Sequence, residues 1–353
     1  MIRKLCHLFS FSVVLILYSS WCPAQFNYPG TGDVPPERFR IVFYNVENLF
    51  DTKNDPGRDD DAFTPLGDRR WNTYRLDNKL NNLYRVIAGA GGTEIPAFIG
   101  LCEVENRSVL EMLVTHTGLR NGGYKIVHRN SADRRGIDVA VLYRPSEFVL
   151  LDTLFIPVTF PFDTLAATRD IVYVKGLAGK RDTLHLFVNH WPSRWGGQAV
   201  TEPYRKRAAM VLRSFVDSLF IESLTVSIII MGDFNDEPGD ASILKYLGAV
   251  PVLDDPGPGI LYNISSVSSN IVRGSYKYQG DWLLFDQFMV SGSLLTGCRG
   301  IYATPLSFSI YDADFLLIPD ESWFGYKPYR TYEGFRHTGG YSDHLPVILD
   351  LWW

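Results

Sequence analysis

The chain's strongest constraint is a short apolar run that ends abruptly on acids. Residues 226–238 read VSIIIMGDFNDEP. Ile228 to Met231 have no polar interruption, are too short for a helix and are rich in β-branched side chains, so they predict a buried strand. The strand stops at Gly232, where Asp233, Asn235, Asp236 and Glu237 follow and Pro238 forbids continuation. Loops carry function when a rigid element positions them. A polar turn after a core strand is the competing reading, and the other strands decide between the two.

Four further apolar strands end the same way. FRIVFY runs into Asn45-Val-Glu47, IGLC into Glu103, LFVN into His190-Trp-Pro, and Ser342-Asp343-His344 stands just before the last strand. Asp286 differs, because it lies inside the apolar run LLFDQFMV. A carboxylate there is costly to bury unless paired, and a histidine is a suitable partner.

The rest of the chain predicts a mixed α/β fold. Leu76–Ala90 and Pro203–Phe220 carry apolar residues at helical spacing, and Ser108–Thr115 and Ala241–Leu247 suit shorter helices. Ile95–Cys102, Tyr124–His128, Ile137–Tyr143, Leu283–Val290, parts of 300–316 and Leu345–Trp353 read as strands. Asp170–Lys175 and Thr183–Asn189 form an expected hairpin around Gly176 to Arg181. Residues 51–70, DTKNDPGRDDDAFTPLGDRR, are acidic and aperiodic and read as a long surface loop. No repeat or linker divides the chain, so residues 39–353 are expected to form one domain after an irregular segment, 25–38.

Residues 1–24 have the pattern of an export signal: basic Arg3 and Lys4, the apolar stretch Phe9–Tyr18, and small residues around Ala24. Trp21 before Cys22 is too bulky for the usual lipid-attachment box, so cleavage after Ala24 is expected over lipoprotein anchoring. No later stretch predicts a transmembrane helix, and a periplasmic or extracellular monomer is expected. Removing the leader leaves 32 basic against 39 acidic residues, a net charge of −7. Nonspecific coating of a polyanion is therefore disfavoured. Only Cys102 and Cys298 remain, which permits one disulfide, although Cys102 sits in a core strand as an inert thiol would.

The ordered blocks YNVENLFD, GLCEVEN, NHWPSR, MGDFND, FDQFMVS and YSDHLPV resemble the endonuclease/exonuclease/phosphatase superfamily. That group includes deoxyribonucleases of the pancreatic type, apurinic/apyrimidinic endonucleases, inositol-polyphosphate phosphatases and bacterial sphingomyelinases. The resemblance covers about residues 39–353 and implies a four-layer sandwich of two packed mixed β-sheets flanked by helices. It further implies that Glu103 is the main ligand of Mg²⁺ or Mn²⁺, with Asn45 and Glu47 beside it and Asp343 assisting. Hard oxygen donors suit those ions. Asp233 is implied to orient or deprotonate the attacking water, and Asn235 to hold it or a phosphate oxygen. His344 is implied to contact the phosphoryl group with its ring fixed by Asp286, and His190 to be a second phosphate donor. In-line attack on a phosphoester needs these same parts: charge neutralisation, an oriented water and help for the leaving oxygen.

Where nucleases of the group commonly place a tyrosine, this chain reads Asp133-Arg-Arg135-Gly. Arg135 is a candidate phosphate donor or a solvated turn charge. Arg194, four residues beyond His190, is a further phosphate candidate, and Trp191 and Trp195 either stack on substrate or pack. Asp236 and Glu237 read as turn residues. The aromatic segment Tyr311–Arg336, with Lys327, Arg330 and Arg336, is expected to form one rim of the cleft. The expected substrate is a phosphoester: nucleic acid first, with a phospholipid or inositol phosphate as alternative. A non-catalytic phospholigand-binding envelope protein is the third reading.

Overall fold

The structure is a computed structural model that describes residues 37–267, 273–297 and 300–353. The expectations for the leader 1–24, for Cys22 and for Cys298 lie outside the described residues.

Two mixed sheets make up the framework. The six-stranded sheet runs, in spatial order, Phe308–Ile310, Val347–Trp352, Arg38–Leu49, Phe98–Val104, Asp138–Tyr143 and Lys125–His128. The seven-stranded sheet runs Phe148–Ile156, Ile171–Ala178, Asp182–His190, Ile228–Asp233, Asp286–Ser291, Leu261–Asn263 and Ala249–Pro251. Arg38–Leu49 is parallel to Phe98–Val104, and Asp182–His190 to Ile228–Asp233, whereas the pairings at Val347–Trp352 and Asp286–Ser291 are antiparallel.

Strand periodicity explains the layers. On each central strand one set of alternate side chains faces the other sheet and the other set faces a helix. Ile41, Phe43, Val188, Ile229, Met231, Phe288 and Val290 meet between the sheets. Val42, Tyr44, Ile99 and Leu101 pack outward against the helices Thr73–Gly91 and Arg107–His116. Ile228, Ile230 and Phe187 pack outward against the helix Gln198–Glu222. Three apolar layers therefore stack helix, sheet, sheet, helix, which is the expected four-layer sandwich.

Three local expectations are corrected. The first strand does not break at Asn45 but continues to Leu49, its pairing with Phe98–Val104 shifting register between Asn45 and Leu49. Phe148–Ile156, for which the sequence predicts no strand, is an edge strand beside Ile171–Ala178. The segment 51–70 is not purely surface: Phe63 is buried and stacks on Phe50 at 4.2 Å, and Asp60 is buried too.

No helix among the described residues is long and apolar enough to cross a membrane.

Candidate active site

The alternation that builds the core also builds the site. Asn45 continues the inward-facing series of Ile41 and Phe43; Asp233 continues that of Ile229 and Met231. His190 follows Leu184, Leu186 and Val188, while Asp286 precedes Phe288 and Val290. All four reach the same end of the inter-sheet space. In register, Asp233 lies between His190 on one neighbouring strand and Asp286 on the other. Gly232 permits this closeness: a Cβ there would lie 2.5 Å from the Asn189 carbonyl oxygen. We expect Gly232→Ala to destabilise the fold by ~1–3 kcal/mol, measured by urea unfolding.

One oxygen of Asp233 is the focus. The Asn45 amide donates to Asp233 Oδ2 at 3.0 Å from the opposite sheet. His190 Nε2 and His344 Nε2 stand 3.6 Å and 3.8 Å from the same oxygen. The other oxygen accepts the Asn235 backbone N–H at 3.0 Å. His344 Nδ1 donates to Asp286 Oδ2 at 2.7 Å, so the buried carboxylate that demanded a partner has one. Ser342 orders this segment, its hydroxyl donating to the Asn45 carbonyl at 2.7 Å and accepting from His344 N–H at 3.1 Å.

Electrostatics separate the roles these groups can take. Burial lifts the Asp233 carboxyl to about 7; Asp286 adds to the lift, and His344, the Asn235 N–H and the Asn45 amide oppose it. Burial alone would depress His344, but Asp286 and Asp233 reverse this and push it up to about 10. His190 is held well below its ordinary value by burial and by Arg169, Arg135 and His344. One neutral imidazole, one imidazolium and one carboxylate poised near neutrality thus share a single space. Cys102, whose thiol burial pushes up, lies beside His190 and Asp233 as an inert neighbour.

The remaining acids lie toward the six-stranded sheet. Glu47, Asn48, Glu103 and Asn235 have φ of 48°, 57°, 62° and 50°, a left-handed conformation that costs energy in residues with a Cβ. Three of them coincide with the irregularities at Asn45/Leu49 and Cys102/Val104. Bulges of this kind re-aim side chains, and here they bring the Asn48 N–H to Glu103 Oε2 at 3.0 Å. Glu47 is buried, accepting the Thr331 N–H at 2.6 Å and Arg330 Nε at 3.0 Å. Arg330 also donates to Asp343 at 2.9 Å. Burial raises Glu47 and Asp343 adds to this, whereas Arg330 and His344 overcome burial to keep Asp343 low.

Glu47, Glu103, Asp343 and the Asn45 amide offer oxygen donors of the kind a hard divalent cation takes, and Asn45 Oδ1 also accepts the Glu47 N–H at 3.0 Å. Glu47 and Asp343 share the Arg330 guanidinium, and among the described residues Glu103 is partnered through Oε2 alone. The fully buried Lys79, which donates to Thr331 and Tyr341, carries no site signal in the sequence, and Arg330, expected at the rim, reaches in to Glu47 and Asp343. A buried Lys79 and a partly exposed Arg330 beside three acids follow from tertiary packing and leave no local pattern in the sequence.

Arg135 reaches the edge of this group, donating to Asn48 Oδ1 and lying 3.7 Å from Glu103 Oε2. The expectation for Arg194 is corrected. Its guanidinium is committed to the Asn235 carbonyl at 2.7 Å, to Asp240 at 2.6 Å and to Asp236 at 3.1 Å, and it lies over the Phe285 ring. It clamps the loop after Asp233 instead of facing substrate. Asp236 is likewise no simple turn residue: it is buried, 2.8 Å from Arg205 Nε, and accepts Ser242 at 2.6 Å. We expect Arg194→Ala to lower stability by ~1.5–3 kcal/mol and to leave KM nearly unchanged, read from thermal unfolding and steady-state kinetics. Trp191 packs against Phe234 and is buried, while Trp195 is exposed. From the expected rim, Arg330 enters the site, and Trp323, Phe324, Tyr326 and Phe335 are exposed.

Comparison with known proteins agrees with this fold. No curated protein sequence matches the chain. Among solved structures, an endonuclease/exonuclease/phosphatase family protein from Bacteroides thetaiotaomicron is 14% identical, with a TM-score of 0.55 over 91% of this chain and 99% of that one. The catalytic domain of human Nocturnin, solved with a bound sulfate anion, is 14% identical at a TM-score of 0.53, covering 90% of this chain and 95% of that one. A D. rerio TDP2 complexed with single strand DNA product is 13% identical at 0.54, covering 89% and 98%. At such identities the likeness concerns the fold. The model of the Endonuclease/Exonuclease/phosphatase family matches residues 40–352. The chain therefore belongs to the Endonuclease/Exonuclease/phosphatase family and is a metal-dependent phosphoric ester hydrolase.

Proposed function

We propose that the protein is an exported, monomeric, nuclease-like phosphodiesterase in which a water oriented by Asp233 attacks phosphorus in line. The observation that carries this reading is the convergence of Asn45, His190 and His344 on one oxygen of a carboxylate lifted to about 7. A group with that value accepts a proton effectively near neutral pH. His344, charged and held through Nδ1 by Asp286, presents Nε2 to the same space and stabilises the phosphoryl oxygens as their charge grows. His190, neutral, supplies a second donor from the strand beside Asp233. Asn235 gives one amide hydrogen to the Trp191 carbonyl at 3.1 Å, leaving the other for the water or a phosphate oxygen. Arg135 reaches the phosphate from the edge near Glu103.

Glu103 would hold Mg²⁺ or Mn²⁺, with Asn45, Glu47 and Asp343 contributing. The ion supplies neutralisation of charge on the reacting phosphate. Glu47 uses both oxygens on Arg330 and Thr331, so Glu103 Oε1 and Asp343 Oδ1, which have no donor among the described residues, are the oxygens left for the ion.

Nucleic acid is the favoured substrate, supported by the solved D. rerio TDP2 with its DNA product. A specific observation supports a second reading. The segment 51–70 bears Asp51, Asp55, Asp59, Asp60, Asp61 and Asp68 on a chain already acidic, which would repel a long polyanion more than a compact phosphoester such as a phospholipid headgroup or inositol phosphate. The test is to incubate residues 25–353 with plasmid DNA, RNA, phospholipids and inositol phosphates, with Mn²⁺ and with EDTA. The proposal expects metal-dependent cleavage of nucleic acid. Hydrolysis confined to lipids or inositol phosphates would establish the second reading, and ligand binding without hydrolysis would contradict both.

A further inference from the structure

A second acidic cluster lies away from Asp233, where the segment 51–70 meets the end of the strand Phe98–Val104. Asp55, Asp60 and Glu105 each offer a carboxylate oxygen, and these oxygens lie within 4.8 Å of one another. Asp60 is only 1% exposed and Glu105 4%. Asp60 Oδ2 accepts the Asp55 N–H at 2.9 Å, but its Oδ1 is buried with no donor. An orphaned buried carboxylate oxygen is costly, and two more acids beside it raise that cost.

The nearby cations do not relieve it. Arg58 donates to the carbonyls of Ser131 and Asp133, and Arg134 lies 3.7 Å from Asp59. Among the described residues none of the three carboxylates has a Lys, Arg or His partner within 4.0 Å. The fold nevertheless holds the cluster together. Asp51 N–H and the Asn106 amide donate to Glu105 Oε2 at 2.6 and 3.0 Å, and Phe63 stacked on Phe50 anchors the segment. Charge is what the arrangement lacks.

We propose that Asp55, Asp60 and Glu105 form a second divalent-cation site, of the Ca²⁺ class, that fastens the 51–70 segment to the strand carrying Glu103. The donors are hard oxygens, and Ca²⁺ at about 2.3–2.6 Å from each ligand accepts flexible geometry completed by carbonyls and water. Opposite ligands of such an ion stand about 4.6–5.2 Å apart, so the span observed here requires little rearrangement. Glu105 follows Glu103 by two residues, so the ion would also stiffen the bulge that aims Glu103. The inference is independent of the substrate reading.

The test uses Ca²⁺ alone as probe. EDTA-treated protein is dialysed, and thermal unfolding is followed with and without millimolar Ca²⁺ for wild type, Asp60→Asn, Asp55→Asn and Glu103→Gln. We expect a Tm rise of about 5 °C or more in wild type and in Glu103→Gln, lost in both insert variants. If Asp60→Asn fails to fold, Asp55→Asn, at a half-buried position, carries the comparison. An equal rise in wild type and the insert variants, a rise abolished only by Glu103→Gln, or no rise and no Ca²⁺ retained in equilibrium dialysis of wild type would each overturn the proposal.

Discussion

Asp233→Asn is expected to lower turnover by roughly 10²–10⁴-fold, the usual contribution of a positioned acid or base, with the fold retained. The substitution keeps the size of a side chain set between His190 and Asp286 on neighbouring strands. It removes the group able to take a proton near neutrality and turns an acceptor of two hydrogen bonds into a mixed donor and acceptor. Because burial already penalises the Asp233 charge, losing it relieves a desolvation cost and offsets the poorer hydrogen bonding. Steady-state kinetics with circular dichroism check the two halves. A variant within threefold of wild type would refute the role given to Asp233.

The second large effect is His344→Ala, which should cost both activity and stability. Its ring stands between two buried carboxylates, 2.7 Å from Asp286 and 3.8 Å from Asp233. Removing one member of a buried pair leaves an uncompensated charge and costs ~3–5 kcal/mol. Asp286 is completely buried and its Oδ1 already has no donor, so nothing nearby can substitute. The double variant His344→Ala/Asp286→Asn should recover much of the stability and none of the activity. The same pair gives a pH dependence. His344 is raised in the folded state from 6.5 to about 10, so its stabilising contribution is complete below about pH 6.5 and is lost as pH climbs through 10. The unfolding free-energy gap between wild type and Asp286→Asn, taken from urea curves of metal-free protein, should shrink from pH 6 to pH 10. A gap that widens over that range would contradict the pairing.

The parts of this site that were legible in the sequence are those written in period two. His190, Asp233 and Asp286 end or begin apolar strands, and alternation from Val188, Met231 and Phe288 fixes the face on which each lies. Glu47 and Glu103 are legible as residues but not as geometry, and Asn48 not at all. Their positive φ values come from paired bulges, which have no periodic signature, so the strand pattern in the sequence breaks where the first strand bulges. Arg194 was misread because its partners Asp236 and Asp240 lie some forty residues away and meet it only when Gln198–Glu222 packs on the sheet. Arg205, buried on that helix against Asp236, was invisible for the same reason. Phe148–Ile156 escaped notice as an edge strand with irregular burial, and the polar composition of 51–70 concealed the anchoring Phe63.

The account is tested most directly by hydrolysis of bis-p-nitrophenyl phosphate beside p-nitrophenyl phosphate, with Mn²⁺ and after EDTA, by wild type and Asp233→Asn. It predicts diester hydrolysis that exceeds monoester hydrolysis, vanishes with EDTA and collapses in the variant. Diester hydrolysis that persists in EDTA, or that the variant retains, would contradict it.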